Sequence, residues 1–168
     1  MVVFGRRILR SIWWGTINLS ALSLTHEGML RYLQDEIRSC GVPPGTLCFE
    51  LTETTAISNL THARQFIAEL KALGCAFALD DFGAGMSSFS YLRNLAVDYL
   101  KIDGALVVSA AHEPVNRAMV DAINRVGHTA GIVTIAEWVE DDATVAVLKE
   151  LGVDYVQGFA VARPGPLQ

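Results

Sequence analysis

Residues 76–103 read AFALDDFGAGMSSFSYLRNLAVDYLKID. Two short apolar runs, Ala76–Asp81 and Tyr99–Asp103, flank a glycine-rich segment, and both end on charged residues. Runs this short and apolar suit strands buried on both faces of a parallel sheet. The same kind of run recurs outward in both directions. Thr16–Ser20 and Leu47–Glu53 precede the central stretch, and Val133–Val139 and Tyr155–Phe159 follow it. Between them lie helical patterns. Phe66, Ile67, Leu70 and Leu73 recur at helical spacing over His62–Leu73, and Gly74 follows where a C-cap glycine belongs. Asp141–Leu151 repeats that design with Val145, Val147, Leu148 and Leu151, closed by Gly152. A third pattern, Asn116–Val126, offers Ala118, Met119, Ala122, Ile123 and Val126 to a core, with a dimer surface as the alternative. The alternation predicts an α/β fold with a parallel sheet.

Composition narrows the function classes. The chain has 168 residues, 51% hydrophobic and 18% charged, enough for one domain with a substantial core and too apolar for disorder. Thirteen Lys and Arg against 18 Asp and Glu give a net charge of -5, which argues against general nucleic-acid binding. No apolar run approaches the roughly 18 residues of a membrane span. Cys40, Cys48 and Cys75 are odd in number and lack C-x-x-C spacing, so a reduced, cytoplasmic setting is expected. His26, His62, His112 and His128 are scattered without zinc-site spacing and read as surface or helix residues. The opening MVVFGRRILRSIWW is too short and broken for a signal peptide, and Trp13 and Trp14 are expected to pack beneath the sheet or border exposed apolar surface.

The informative polar residues sit toward the C-terminal ends of the strands: Asn18, Glu50, Asp80 with Asp81, Lys101, Glu137 and Gln157. Burying an unpaired charge is expensive, and any one of these alone would read as a helix cap. Six successive strands ending this way instead predict one site, because parallel strands of a barrel deliver those ends to one face. Adjacent carboxylates such as Asp80 and Asp81 repel unless a cation or proton intervenes, and hard divalent ions prefer such oxygen donors. The number of donors predicts a two-metal site with Asp80 bridging, of the kind that serves phosphoryl transfer. Lys101 is the one cation among the acids. The segment Phe82–Ser90 reads as a loop near the site, since Gly83-x-Gly85 lacks the third glycine of a dinucleotide fingerprint.

These residues resemble the EAL domain of bacterial cyclic-di-GMP phosphodiesterases. The matching motifs are INLSALSL at 17–24, FELTET at 49–54, LDDFGAGMSSFSYLRNLAVDYLKID at 79–103, TIAEWVE at 134–140, DYVQGF at 154–159 and ARP at 162–164. The resemblance implies a TIM-like (β/α)8 barrel and hydrolysis of cyclic-di-GMP to linear pGpG with two ions, Mg2+ or Mn2+. It implies that Asn18, Glu50 and Asp80 bind the first metal, and Asp80, Asp81 and Glu137 the second. Lys101 matches the lysine that positions the hydrolytic water, beside Asp81 and Glu137 as catalytic groups. Glu53 matches the acid anchoring the glycine-rich loop, and Asp103, Glu140 and Gln157 match substrate contacts. A homodimer through the barrel helices and regulatory domains in a longer parent are implied as well.

Three positions depart from the family pattern. Ala84 and Met86 stand where Thr and Tyr are usual, and Trp138 stands where Gly is usual. The Glu-Ala-Leu signature itself is absent from the 168 residues, and only 17 precede Asn18. A complete barrel takes about 250 residues. The expectation is therefore an N-terminally truncated barrel of about six parallel strands. Residues 1–168 would be a partial EAL domain, with 1–15 an atypical remnant in which Arg6–Arg10 is the trace of a helix. Its turnover should be impaired. The alternative is a degenerate module that binds cyclic-di-GMP or a protein partner without hydrolysis.

Overall fold

The computed structural model describes residues 2–3, 15–85 and 89–163. Trp13, Trp14, Met86, the Arg6–Arg10 stretch and the residues from Pro164 onward lie outside the described residues. In chain order the elements are β1 (Val2–Val3), β2 (Gly15–Asn18), α1 (Ala21–Thr25), α2 (Met29–Cys40), β3 (Leu47–Thr52), α3 (Glu53–Ser58), α4 (Leu60–Lys71) and β4 (Ala76–Phe82). A 3-10 helix (Phe89–Asn94), β5 (Tyr99–Ile102), α5 (Gly104–Val108), α6 (Pro114–Thr129), β6 (Val133–Ala136), α7 (Asp142–Glu150) and β7 (Tyr155–Val156) follow. The expected α/β alternation is present. The described residues fall into two compact units, one of 15–80 with 89–99, the other of 2–3, 81–85 and 100–163.

In the first unit β2, β3 and β4 run parallel. Phe49 and Phe77 are fully buried and their rings sit 5.5 Å apart, tilted by 32°. Helix α4 turns Ala63, Phe66, Ile67 and Leu70 inward, as its sequence periodicity predicts. Gly74 follows at φ +86, with Pro44 so close that a Cβ on Gly74 would lie 2.6 Å from the proline Cβ. Only glycine meets both conditions. All four residues of β2 are exposed, Ile17 included.

In the second unit β6 and β7 are parallel and β1 joins β7 antiparallel, a short strand that sequence reasoning did not anticipate. Leu100, Ile102, Ile135, Val107 and Leu148 are fully buried. Helix α6 differs from its sequence reading. Val120, Ile123, Asn124 and Gly127 face inward, whereas Ala118, Met119 and Ala122 are exposed. The register is shifted because Gly127 allows close approach to the next strand: a Cβ there would meet the Thr134 methyl at 2.8 Å. Asn124 is buried through its hydrogen bond to the Leu151 carbonyl and its contact with Thr134 Oγ1.

Five strands stop earlier than their apolar runs suggest, β2 at Asn18 and β5 at Ile102 among them. β3 ends at Thr52, whose hydroxyl caps α3 by accepting from Thr55 N, so Glu53 begins a helix. β6 ends at Ala136, because Trp138 adopts φ +52 and turns the chain out of the extended conformation. β7 ends at Val156, where Gly158 lies against the Val139 backbone.

Candidate functional site

Register places the polar residues of the first unit. Asn18 is paired with Glu50 across β2 and β3, and Glu50 with Ala78 across β3 and β4. Asp80 lies two residues beyond Ala78, and side chains two apart share a face of a strand. Asn18, Glu50 and Asp80 therefore share one face. Asn18 is exposed and Glu50 is buried. Glu53 is also buried and accepts a hydrogen bond from the Tyr91 hydroxyl, so the start of α3 is tied to the 3-10 helix after the glycine-rich segment. Sequence reasoning found Glu53 but missed Tyr91, because one tyrosine in an apolar stretch carries no pattern of its own.

The second unit holds the cation. Lys101 Nζ lies 2.8 Å from Glu137 Oε1, with the side chains 5% and 10% exposed. Lys101 sits on β5 and Glu137 follows β6 directly, its N–H donating to the Ile102 carbonyl at 3.3 Å. Asp81 adopts φ +54, a conformation that Asp tolerates better than most residues. In a regular strand consecutive side chains point to opposite faces. The left-handed turn at Asp81 breaks that alternation, and one of its carboxylate oxygens comes within 4.8 Å of one on Glu137. Asp81 and Glu137 of this unit thus offer two carboxylates that a metal could use. One ammonium and two carboxylates in the second unit leave a net negative charge facing whatever enters. An all-oxygen donor set of this kind fits a hard divalent cation.

The remaining candidates have different surroundings. Asp103 caps α5, accepting from Ala105 N at 2.8 Å through Oδ1. Gln157 and Glu140 are exposed and line a cavity of about 560 Å3, together with Glu137, Trp138, Phe159 and Arg163. The Gln157 N–H donates to the Ala136 carbonyl and its carbonyl accepts from Val139 N, which holds this wall by backbone alone. The Arg163 guanidinium lies 5.4 Å from the centroid of the Phe159 ring, in cation–π range. Phe159 and Arg163 were not singled out from the sequence, since neither falls at the end of an apolar run. All four histidines are exposed, and His128 bonds Asp154 at 2.8 Å away from these groups.

Comparison with known proteins agrees with this layout. The EAL domain family model matches residues 6–164. Cyclic di-GMP phosphodiesterase PdeB of Shewanella oneidensis is 44% identical over 152 residues, which is 90% of this chain and 18% of that protein. Cyclic di-GMP phosphodiesterase PdeA of Borreliella burgdorferi is 34% identical, covering 90% of this chain and 23% of that protein. The solved structure of the PaMucR phosphodiesterase in complex with c-di-GMP superposes with a TM-score of 0.84 at 35% identity, over 90% of this chain and 61% of that one. The chain thus spans about a fifth of the curated relatives it matches. The expected TIM-like barrel class of EAL domains holds for its fold. No helix among the described residues is long and apolar enough to cross a membrane. Since the matched residues take in every strand from β2 to β7 and every acid and lysine described above, the chain belongs to the EAL domain family.

Proposed function

We propose that this chain is the part of a cyclic-di-GMP phosphodiesterase that carries most of its metal-binding and water-positioning groups. The buried Lys101–Glu137 pair with the Asp81 carboxylate beside it carries this reading. A structural ion pair has no need of a second carboxylate close by. Asn18, Glu50 and Asp80 would hold one Mg2+ or Mn2+, and Asp81 and Glu137, with Asp80, a second. Bound divalent cations would supply Lewis acidity to the phosphoryl oxygens.

The chain's own residues do the rest. Glu137 fixes the Lys101 ammonium, whose N–H groups would donate to the oxygen of the attacking water. That oxygen attacks phosphorus, the P–O bond to one ribose 3′-oxygen breaks, and one water is consumed per linear pGpG formed. Glu140 and Gln157 border the cavity and would bind the dinucleotide, as would Asp103 with the carboxylate oxygen not used in capping. Glu53 would steady the glycine-rich loop through Tyr91.

The family's signature glutamate is not among these 168 residues, so turnover by this chain alone should be impaired. The alternative is binding of cyclic-di-GMP without hydrolysis. Chromatographic detection of pGpG in Mg2+ separates the two. Slow product formation by the chain, accelerated when a relative's Glu-Ala-Leu segment is fused to it, supports the enzyme. In that fused chain Lys101→Ala should lower turnover about 100-fold or more. An unchanged rate would remove Lys101 from the mechanism, and no product from either chain would favour the binding module.

A further inference from the structure

Trp138 combines a strained backbone, an exposed side chain and a fixed seat for its ring. It adopts φ +52, a backbone conformation rarely taken by bulky side chains. It nevertheless leaves 63% of its surface exposed, so burial does not offset the strain. Its ring is also seated: a Cβ on Gly104 would lie 2.3–2.7 Å from the indole Cδ2, Cγ and Cε3 atoms. Only a glycine at 104 lets the indole lie there. One side of the ring rests on the start of α5 while the rest stays open to the cavity bordered by Glu137, Glu140 and Gln157.

We infer that Trp138 is a specificity-determining residue that stacks on a purine-type base of the ligand bound in this cavity. The inference rests on the proposed cyclic-di-GMP reading for the identity of that ligand. An exposed aromatic face attracts any nucleobase, and a ring already pinned by Gly104 loses little freedom on binding. A strained residue persists where the surrounding structure over-determines it, and such outliers gather at binding sites. The volume of about 560 Å3 suits a nucleobase. The Glu140 carboxylate on the cavity wall accepts hydrogen bonds only, which matches the N1–H and N2–H donors of guanine and not the N1 acceptor of adenine.

The test measures binding to the 168-residue chain by calorimetry in Mg2+, with ligand integrity checked afterwards by chromatography. The probes are cyclic-di-GMP, GMP, AMP and ribose 5-phosphate. Trp138→Gly should weaken cyclic-di-GMP and GMP about 10-fold while ribose 5-phosphate is unaffected. Trp138→Phe should fall between the two. GMP should bind more tightly than AMP. The melting temperature of Trp138→Gly should not fall, because glycine relaxes the backbone at 138, and this separates lost stacking from lost structure. Equal cyclic-di-GMP affinity in wild type and Trp138→Gly overturns the inference while leaving the phosphodiesterase reading intact. GMP binding that depends on Trp138, without any binding of cyclic-di-GMP, supports stacking and removes that reading. Ribose 5-phosphate binding as tightly as GMP also overturns the inference.

Discussion

Lys101 and Glu137 pair at 2.8 Å with side chains only 5% and 10% exposed, so neither charge returns to water when the other is removed. Truncating one partner of a buried pair leaves a charge with its desolvation uncompensated. Lys101→Met should therefore lower the unfolding free energy by about 3 kcal/mol, read from urea denaturation. A single variant as stable as wild type would show that the pair is hydrated rather than buried. Activity of Lys101 variants has to be read well below their unfolding transition. Both members of the pair were legible in the sequence because a charge at the end of an apolar run is conspicuous. Trp138 was legible only as a departure from the family pattern, since its strain is a matter of φ, which composition does not report. Tyr91 gave no signal, because its partner Glu53 is 38 residues away.

At the scale of elements, periodicity located α4, α6 and α7, missed the 12-residue α2, and placed strand ends poorly. The apolar run over Val133–Val139 continues through Trp138 and Val139, yet β6 stops at Ala136. The chain there leaves the sheet by a left-handed turn, after which Val139 donates to the Gln157 carbonyl. Hydrophobicity marks what is buried, and Val139 is buried without being in a strand. Helix starts depend on single polar atoms instead. Asp141 caps α7 by accepting from Thr144 N at 2.7 Å. That backbone bond lowers its carboxyl pKa below the ordinary 3.8, with the Thr144 hydroxyl and His112 acting in the same direction. A carboxyl with a depressed native pKa stabilises the fold above its unfolded pKa, and that stability is lost as pH falls through the native value. Asp141→Ala should then lower the melting temperature at pH 7, with the gap to wild type narrowing as the solution is acidified below about pH 4. A gap constant with pH would mean that the ionised carboxylate is not what caps α7.

For the molecule as a whole, the α/β class followed from alternating short apolar runs and helical patterns, and the described elements keep that order. The short antiparallel β1 escaped because two valines carry no period. The inward face of α6 was misassigned because Gly127 and Asn124, which set its seating, are not hydrophobic. The thiols offer a way to follow unfolding of the chain through their reactivity. Cys40 is exposed, whereas Cys48 is fully buried and Cys75 is 7% exposed. Burial also pushes the Cys75 thiol above its ordinary pKa of 9.0, so its reactive thiolate is scarce even when a reagent approaches. At pH 8 a disulfide reagent should modify Cys40 quickly and the other two only as fast as the protein opens. Adding urea should bring all three to a common rate. A raised native pKa leaves stability whole below the unfolded value and erodes it as pH rises through the native one. The two slow thiols should accordingly react faster above pH 9 by more than their growing thiolate fraction accounts for. Three equal rates in native buffer would refute the burial of Cys48 and Cys75, and with it the packing of β3 on which Glu50 is placed.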